Sequence, residues 1–189
     1  MENLKITKPV IVASDIHGSS YYCKKLMEAY EKEKVDTLIL LGDILYHGPR
    51  NDLPKDYAPK EVIALLNPLK DNIICMQGNC DAEVDQMVLN FPINPGYLVL
   101  NHECSGRNFI ITHGHHININ AMIEHNANDI LLHGHTHVPC CVIKEDYIYM
   151  NPGSTSIPKE NSHHGYILIT EEEVIWKDFD GNILNKFVL

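Results

Sequence analysis

Apolar residues fall in short runs divided by polar, glycine-bearing clusters, and the runs change character past the middle of the chain. Residues 9–14, Pro-Val-Ile-Val-Ala-Ser, form a continuous apolar stretch suited to a buried strand. Residues 20–34 then carry Cys23, Leu26, Met27 and Tyr30 at helical spacing. Residues 36–41 and 72–77 are two further apolar runs of strand length. Between them lies a polar, proline-containing stretch, residues 46–58. Pro59 follows it and can open a helix that turns Val62, Leu65, Leu66 and Leu69 inward. The order β-α-β-α-β predicts parallel strands with right-handed crossovers.

Past residue 95 the rhythm shortens. Residues 97–100 and 108–112 read as a hairpin pair, and residues 117–126 as a helix. Residues 129–133, 140–144 and 147–150 read as short strands, with Lys144-Glu145-Asp146 as a turn between the last two. Residues 166–170, 174–179 and 183–188 complete the pattern, with Asp180-Gly181 as a turn signal. No Gly/Ser tract or internal repeat divides the chain, so residues 1–189 are expected to form a single α/β domain. Two sheets are expected within it, a mixed one early and a more antiparallel one late.

Composition narrows the function. At 44% hydrophobic and 21% charged residues the chain is globular rather than disordered. No apolar run approaches the ~18 residues of a membrane span, and Met1-Glu2-Asn3-Leu4-Lys5 lacks the apolar region of a secretory signal. No membrane partner and a cytoplasmic setting are therefore expected. The six cysteines are expected to be reduced: Cys23 and Cys75 lie in core-like segments, and Cys140 and Cys141 would point to opposite faces of a strand. No Cys-x-x-Cys pair suggests a structural zinc. The formal net charge of −10 disfavours a stable nucleic-acid complex. It leaves a small phosphate ester open as substrate, because bound cations can reverse the local field. Homo-oligomerisation stays open.

Five polar clusters stand just past expected strand ends: Asp15-Ile16-His17-Gly18, Gly42-Asp43, Gly78-Asn79-Cys80-Asp81, Thr112-His113-Gly114-His115 and His133-Gly134-His135-Thr136-His137. The carboxyl ends of strands in open α/β sheets form the ligand crevice. Aspartate oxygen and imidazole nitrogen suit divalent first-row metals. In Asp15-x-His17 and His135-x-His137 an extended backbone would put both side chains of each pair on one face. Seven or eight such ligands exceed the needs of one cation, and two cations sharing a carboxylate use them all. Two divalent cations against Asp15 and Asp43 leave the site near a charge of about +2. Metals also lower the pKa of bound water to about 7, so a bridging hydroxide could attack phosphorus in line.

The ordered set Asp-x-His, Gly-Asp, Gly-Asn-x-Asp, His-Gly-His and Gly-His-Thr-His resembles the calcineurin-like metallophosphoesterase superfamily, in particular its small bacterial and archaeal phosphodiesterases of the YfcE type. The likeness extends over His47-Gly48-Pro49-Arg50-Asn51 and Asn151-Pro152-Gly153-Ser154. It implies a two-sheet β-sandwich flanked by helices, and a phosphoesterase, foremost a phosphodiesterase acting on small diesters. It implies one metal on Asp15, His17, Asp43 and His137 and a second on Asp43, Asn79, His113 and His135. Asp43, Asn79 and His113 would also serve catalysis. Manganese is the common activating ion in such enzymes, with Fe2+, Zn2+, Ni2+ or Mg2+ as other occupants.

One position departs from the pattern. Many members carry histidine after the asparagine, where it can protonate the leaving group; here it is Cys80. A thiol of pKa about 8.5 is a poor acid. Slow turnover is expected, with a preference for leaving groups that need no proton. Arg50, Asn51, Cys80 and His115 are the expected substrate contacts, although solvated loop residues have the same appearance in sequence. His102, His125, His163 and His164 are read as surface residues, and Asp81 as a cap of the next helix or as an orienter of a neighbour. Three readings compete with the diesterase: a catalytically weak or inactive scaffold or binding protein of the same fold, a phosphomonoesterase, and a mononuclear hydrolase. Every ligand position holds a competent residue, which favours the enzyme.

Overall fold

The computed structural model describes residues 4–189, so the reading of the first five residues falls partly outside it. One sheet has the strand order β13-β12-β11-β2-β3-β4-β5. Its strands are β2 (Val10–Ala13), β3 (Thr37–Leu40), β4 (Ile73–Met76), β5 (Ile93–Asn94), β11 (Gly165–Ile169), β12 (Glu173–Asp178) and β13 (Ile183–Val188). The other has the order β1-β6-β7-β8-β10-β9. Its strands are β1 (Leu4–Ile6), β6 (Tyr97–His102), β7 (Asn108–Thr112), β8 (Asp129–His133), β9 (Cys140–Ile143) and β10 (Tyr147–Asn151). Helices α1 (Ser20–Glu33) and α2 (Pro59–Leu66) connect β2 to β3 and β3 to β4.

Alternation along the strands builds the layers. In β2, Val10 and Val12 face the layer between the sheets, where they meet Phe109, Ile111, Ile130, Leu132, Ile148 and Met150. Ile11 and Ala13 face the other way, onto Cys23 and Leu26 of α1 and Val62 and Leu66 of α2. Full burial of each large aliphatic side chain stabilises the fold by about 1.5–3 kcal/mol. Ser19 caps α1, its hydroxyl accepting from the Tyr22 N–H at 3.3 Å. Pro59 stands in the first turn of α2, as its fixed φ favours. The six cysteines are free. Cys140 and Cys141 do point to opposite layers.

The structure corrects three expectations. The late strands do not make a sheet of their own: β11 pairs antiparallel with β2, Ile167 opposite Val12, so β11–β13 extend the early parallel ladder. The second sheet is mixed too, since β7 and β8 run parallel. Residues 117–126 are irregular rather than helical. The Asn118 side chain accepts from the Asn120 N–H at 2.9 Å and donates to Gly114 O at 3.1 Å, bonds that compete with a helical turn. Ile117, Ile119, Met122 and Ile123 of this segment cover Ile110, Leu131 and Tyr149 on the outer sheet face. His102 is buried rather than exposed, bonded to Ser105 Oγ at 2.8 Å and Thr170 O at 2.9 Å.

Candidate metal centre

Parallel register brings the five clusters to one edge. Ala13 lies beside Leu40, and Leu40 beside Cys75, so the loops after β2, β3 and β4 leave together. Thr112 pairs with His133 across β7 and β8, which sends two further loops to the same edge from the other sheet. The site therefore spans the top of both sheets. Its backbone is not extended, contrary to the expectation for the Asp-x-His and His-x-His pairs. Asp15, His17, Asp43, His135 and His137 have φ of 57°, 48°, 56°, 64° and 64°. Left-handed backbone at such residues costs on the order of 1–3 kcal/mol each and persists where the surroundings enforce it. Gly42, at φ 101°, lies so close to Gly78 that a side chain on either would strike the other loop.

The imidazoles are oriented from behind. His17 Nδ1 lies 2.7 Å from Tyr46 O, His137 Nδ1 2.6 Å from Ile157 O, and His113 Nδ1 2.8 Å from Leu41 O. Carbonyls only accept, so each Nδ1 carries the hydrogen and each Nε2 presents a lone pair. Those lone pairs converge. His17 Nε2 is 3.3 Å from His137 Nε2, and His137 Nε2 is 3.2 Å from Asp15 Oδ1. His113 Nε2 is 3.1 Å from Asn79 Oδ1 and 3.2 Å from His135 Nδ1. Asp43 Oδ2 lies 3.6 Å from His17 Nε2 and 3.5 Å from His113 Nε2, between the two groups.

Acceptors packed against acceptors repel unless a cation lies among them. Asp15 Oδ1 is buried with no hydrogen-bond partner, an oxygen aimed into the cluster. Burial opposes the charge of Asp15, and it is positive charge at the Nε2 positions of His137 and His17 that holds its carboxyl well below its ordinary value. Desolvation opposes the charge of His17, while Asp15 draws its pKa upward. The cluster thus calls for positive charge. Ligands about 2.0–2.2 Å from a cation stand roughly 3 Å or slightly more apart, in keeping with these separations. The residues present fit divalent metal, and Asp43 lies between the two groups of side chains.

Support comes from residues that bind no metal. Asp81 accepts the Asp43 N–H at 2.8 Å, the Ile44 N–H at 2.8 Å and the Gly78 N–H at 2.7 Å, so it joins the Asp43 loop to the Asn79 loop. Of the two readings its sequence context offered, orienting a neighbour is the one observed. The 83–87 turn is capped instead by Asp85, which accepts the Ala82 N–H. The end of β10 and the segment after it buttress the site: Ser154 Oγ donates to Asp15 O at 2.9 Å, and Asn151 Nδ2 donates to Gly134 O at 2.8 Å.

A cavity of about 490 Å³ opens over the cluster. Beyond the ligands it is walled by Pro49, Arg50, Asn51, Cys80, Thr136 and Lys159. Three of the four expected substrate contacts, Arg50, Asn51 and Cys80, thus line it. His115 does not; it stands behind His113 with ring centroids 5.3 Å apart. Lys159 and Thr136 were not singled out in the sequence. Thr136 sits inside the last histidine cluster, which was the available signal; Lys159 carries none of its own.

Comparison with known proteins agrees with this geometry. The model of the calcineurin-like phosphoesterase superfamily domain matches residues 9–173. The chain is 40% identical over 164 residues to phosphodiesterase YfcE of Escherichia coli strain K12, covering 86% of this chain and 88% of that protein. It is 29% identical over 147 residues to phosphodiesterase MJ0936 of Methanocaldococcus jannaschii, covering 75% and 81%. The solved structure of YfcE, described as a phosphoesterase from E. coli, matches with a TM-score of 0.91 at 36% identity, covering 95% of this chain and 98% of that one.

Proposed function

Because this chain belongs to the calcineurin-like phosphoesterase superfamily, we propose that it is a metal-dependent phosphodiesterase acting on small diesters. Residues 1–189 form one catalytic domain in this reading, with two divalent cations, manganese foremost, and a cytoplasmic setting. Among the described residues no helix is long and apolar enough to cross a membrane. The observation that carries the proposal is the shared position of Asp43 Oδ2, 3.6 Å from one histidine nitrogen and 3.5 Å from another. Asp15, His17 and His137 would complete one site, and Asn79, His113 and His135 the other.

Bound divalent cations polarise phosphoryl oxygens and make hydroxide available near neutral pH. The protein's own groups do the rest. The Nδ1 bonds of His17, His113 and His137 fix three ring orientations, with each Nε2 aimed inward as the ligand atom. Asn79 Nδ2 donates to Cys80 Sγ at 3.2 Å, which leaves its Oδ1 facing His113. Arg50 and Asn51 stand where the substituents of a bound ester would lie. With no cation bound, burial, and then the charge of Asp43, push the Cys80 thiol up to about 12. So weak an acid protonates an alkoxide reluctantly, which supports slow turnover on esters with basic leaving groups.

Assay of a diester and a monoester of p-nitrophenol under added Mn2+, paired with metal analysis, tests this. Hydrolysis favouring the diester is expected, together with two metals per chain. Asp43→Asn should lower occupancy at both sites, and Asn79→Ala mainly at one. Metal-free protein without diesterase activity in any divalent ion would overturn the proposal.

A further inference from the structure

Two cations line the cavity that the metal cradle does not require. Arg50 comes from the loop after β3, and Lys159 from the segment that follows β10. Neither forms an ion pair among the described residues, although the chain carries 25 acidic side chains against 15 basic ones. Both are exposed, and both line the one polar cavity that opens over the metal cradle.

Both are anchored to the site. The Lys159 N–H donates to His137 O at 3.2 Å, and Ser162 Oγ donates to Lys159 O at 2.6 Å, so this backbone hangs from a metal-ligating residue. Asn51 Nδ2 donates to His47 O at 2.8 Å and closes the loop that presents Arg50. The walls also exclude chemistry. Pro49 is the one aliphatic residue lining the cavity; no branched aliphatic chain lines it, and its aromatic rings are the imidazoles of His17, His135 and His137. An acyl chain would find no apolar wall there.

We infer that Arg50 and Lys159 form an anion subsite beside the metals, and that the substrate is a compact phosphodiester whose substituent bears its own negative charge. The inference rests on the diesterase reading and adds to it the charge of the group esterified. A carboxylate and a second phosphate share this chemistry.

Three p-nitrophenyl diesters separate the cases: one with a carboxyethyl arm, one with a phosphonoethyl arm and one with a neutral propyl arm. For the Mn2+-loaded protein, kcat/KM should favour the anionic arms over propyl by about fivefold, chiefly through KM, the scale of charge pairs made by exposed cations. The better of the two anionic arms identifies the group. Lys159→Met and Arg50→Met should each reduce the anionic-to-neutral ratio several-fold, and Lys159→Arg should restore most of it. Carboxyethylphosphonate should bind more tightly than propylphosphonate by calorimetry, with the difference lost in Lys159→Met. Hydrolysis of all three esters without charge preference would overturn the subsite alone. Hydrolysis of none would overturn the diesterase reading, and the subsite with it.

Discussion

Asp81 shows how much of the metal centre is decided by a residue that touches no metal. Its carboxylate receives three backbone N–H groups, two from the Asp43 loop and one from Gly78. Asp81→Asn replaces one acceptor oxygen with a donor that faces an N–H. Leaving a buried donor unpaired costs about 1–3 kcal/mol, and here the strain falls on Asp43, the carboxylate proposed to join both metal sites. The expected outcome is a lower denaturation midpoint together with reduced occupancy at both sites, read by urea titration and metal analysis. A stability loss with two metals retained per chain would mean that Asp81 serves the fold alone. At this scale the clustered aspartates and histidines were legible in sequence, because metal chemistry demands such side chains by identity. Their left-handed backbone was not, since five non-glycine residues at positive φ leave no compositional trace. Lys159 was not legible either: only the fold brings residue 159 next to the loop of residue 50.

At the scale of elements, apolar periodicity located both helices and most strands, while pairing had to come from the structure. Residues 117–126 had helical spacing of apolar groups, but asparagine side chains offered the backbone other partners. The ties between elements depend on charge as well. Glu33 at the end of α1 accepts from Tyr166 of β11 at 2.8 Å and pairs with Lys177 of β12. Burial alone would raise the pKa of Glu33, but hydrogen bonds from Lys177 and Tyr166 hold it below its ordinary value of 4.5. A carboxyl depressed in the folded state contributes stability above its unfolded pKa and loses it as pH falls through the folded one. The helix–sheet contact should therefore weaken below about pH 4.5, and Glu33→Gln should flatten that part of the stability profile while lowering stability at neutral pH. Urea midpoints between pH 3 and 7, as an approximate range, check this. A variant whose profile keeps the wild-type slope would remove Glu33 from the account.

For the whole molecule, the metal centre is also a fastening. Asp15, His17, Asp43 and Asn79 leave one sheet, whereas His113, His135 and His137 leave the other. Any cation held by both sets joins the sheets at the edge where their loops meet. Without a cation that edge carries mutually repelling acceptors and an unpartnered buried oxygen. Metal binding is thus folding free energy, worth about 4 kcal/mol for an ion at a thousand times its Kd. In a chain of this length each kcal/mol corresponds to about 2–4 °C. Saturating Mn2+ should raise Tm by on the order of ten degrees, and a chelator should reverse the gain. Asp43→Asn should lose most of that shift. Glu33→Gln, far from the cations, should start from a lower Tm and keep the shift in full. A Tm indifferent to Mn2+ in the unaltered protein would separate the cradle from the stability of the sandwich, and differential scanning calorimetry of the three proteins with and without metal decides between the two.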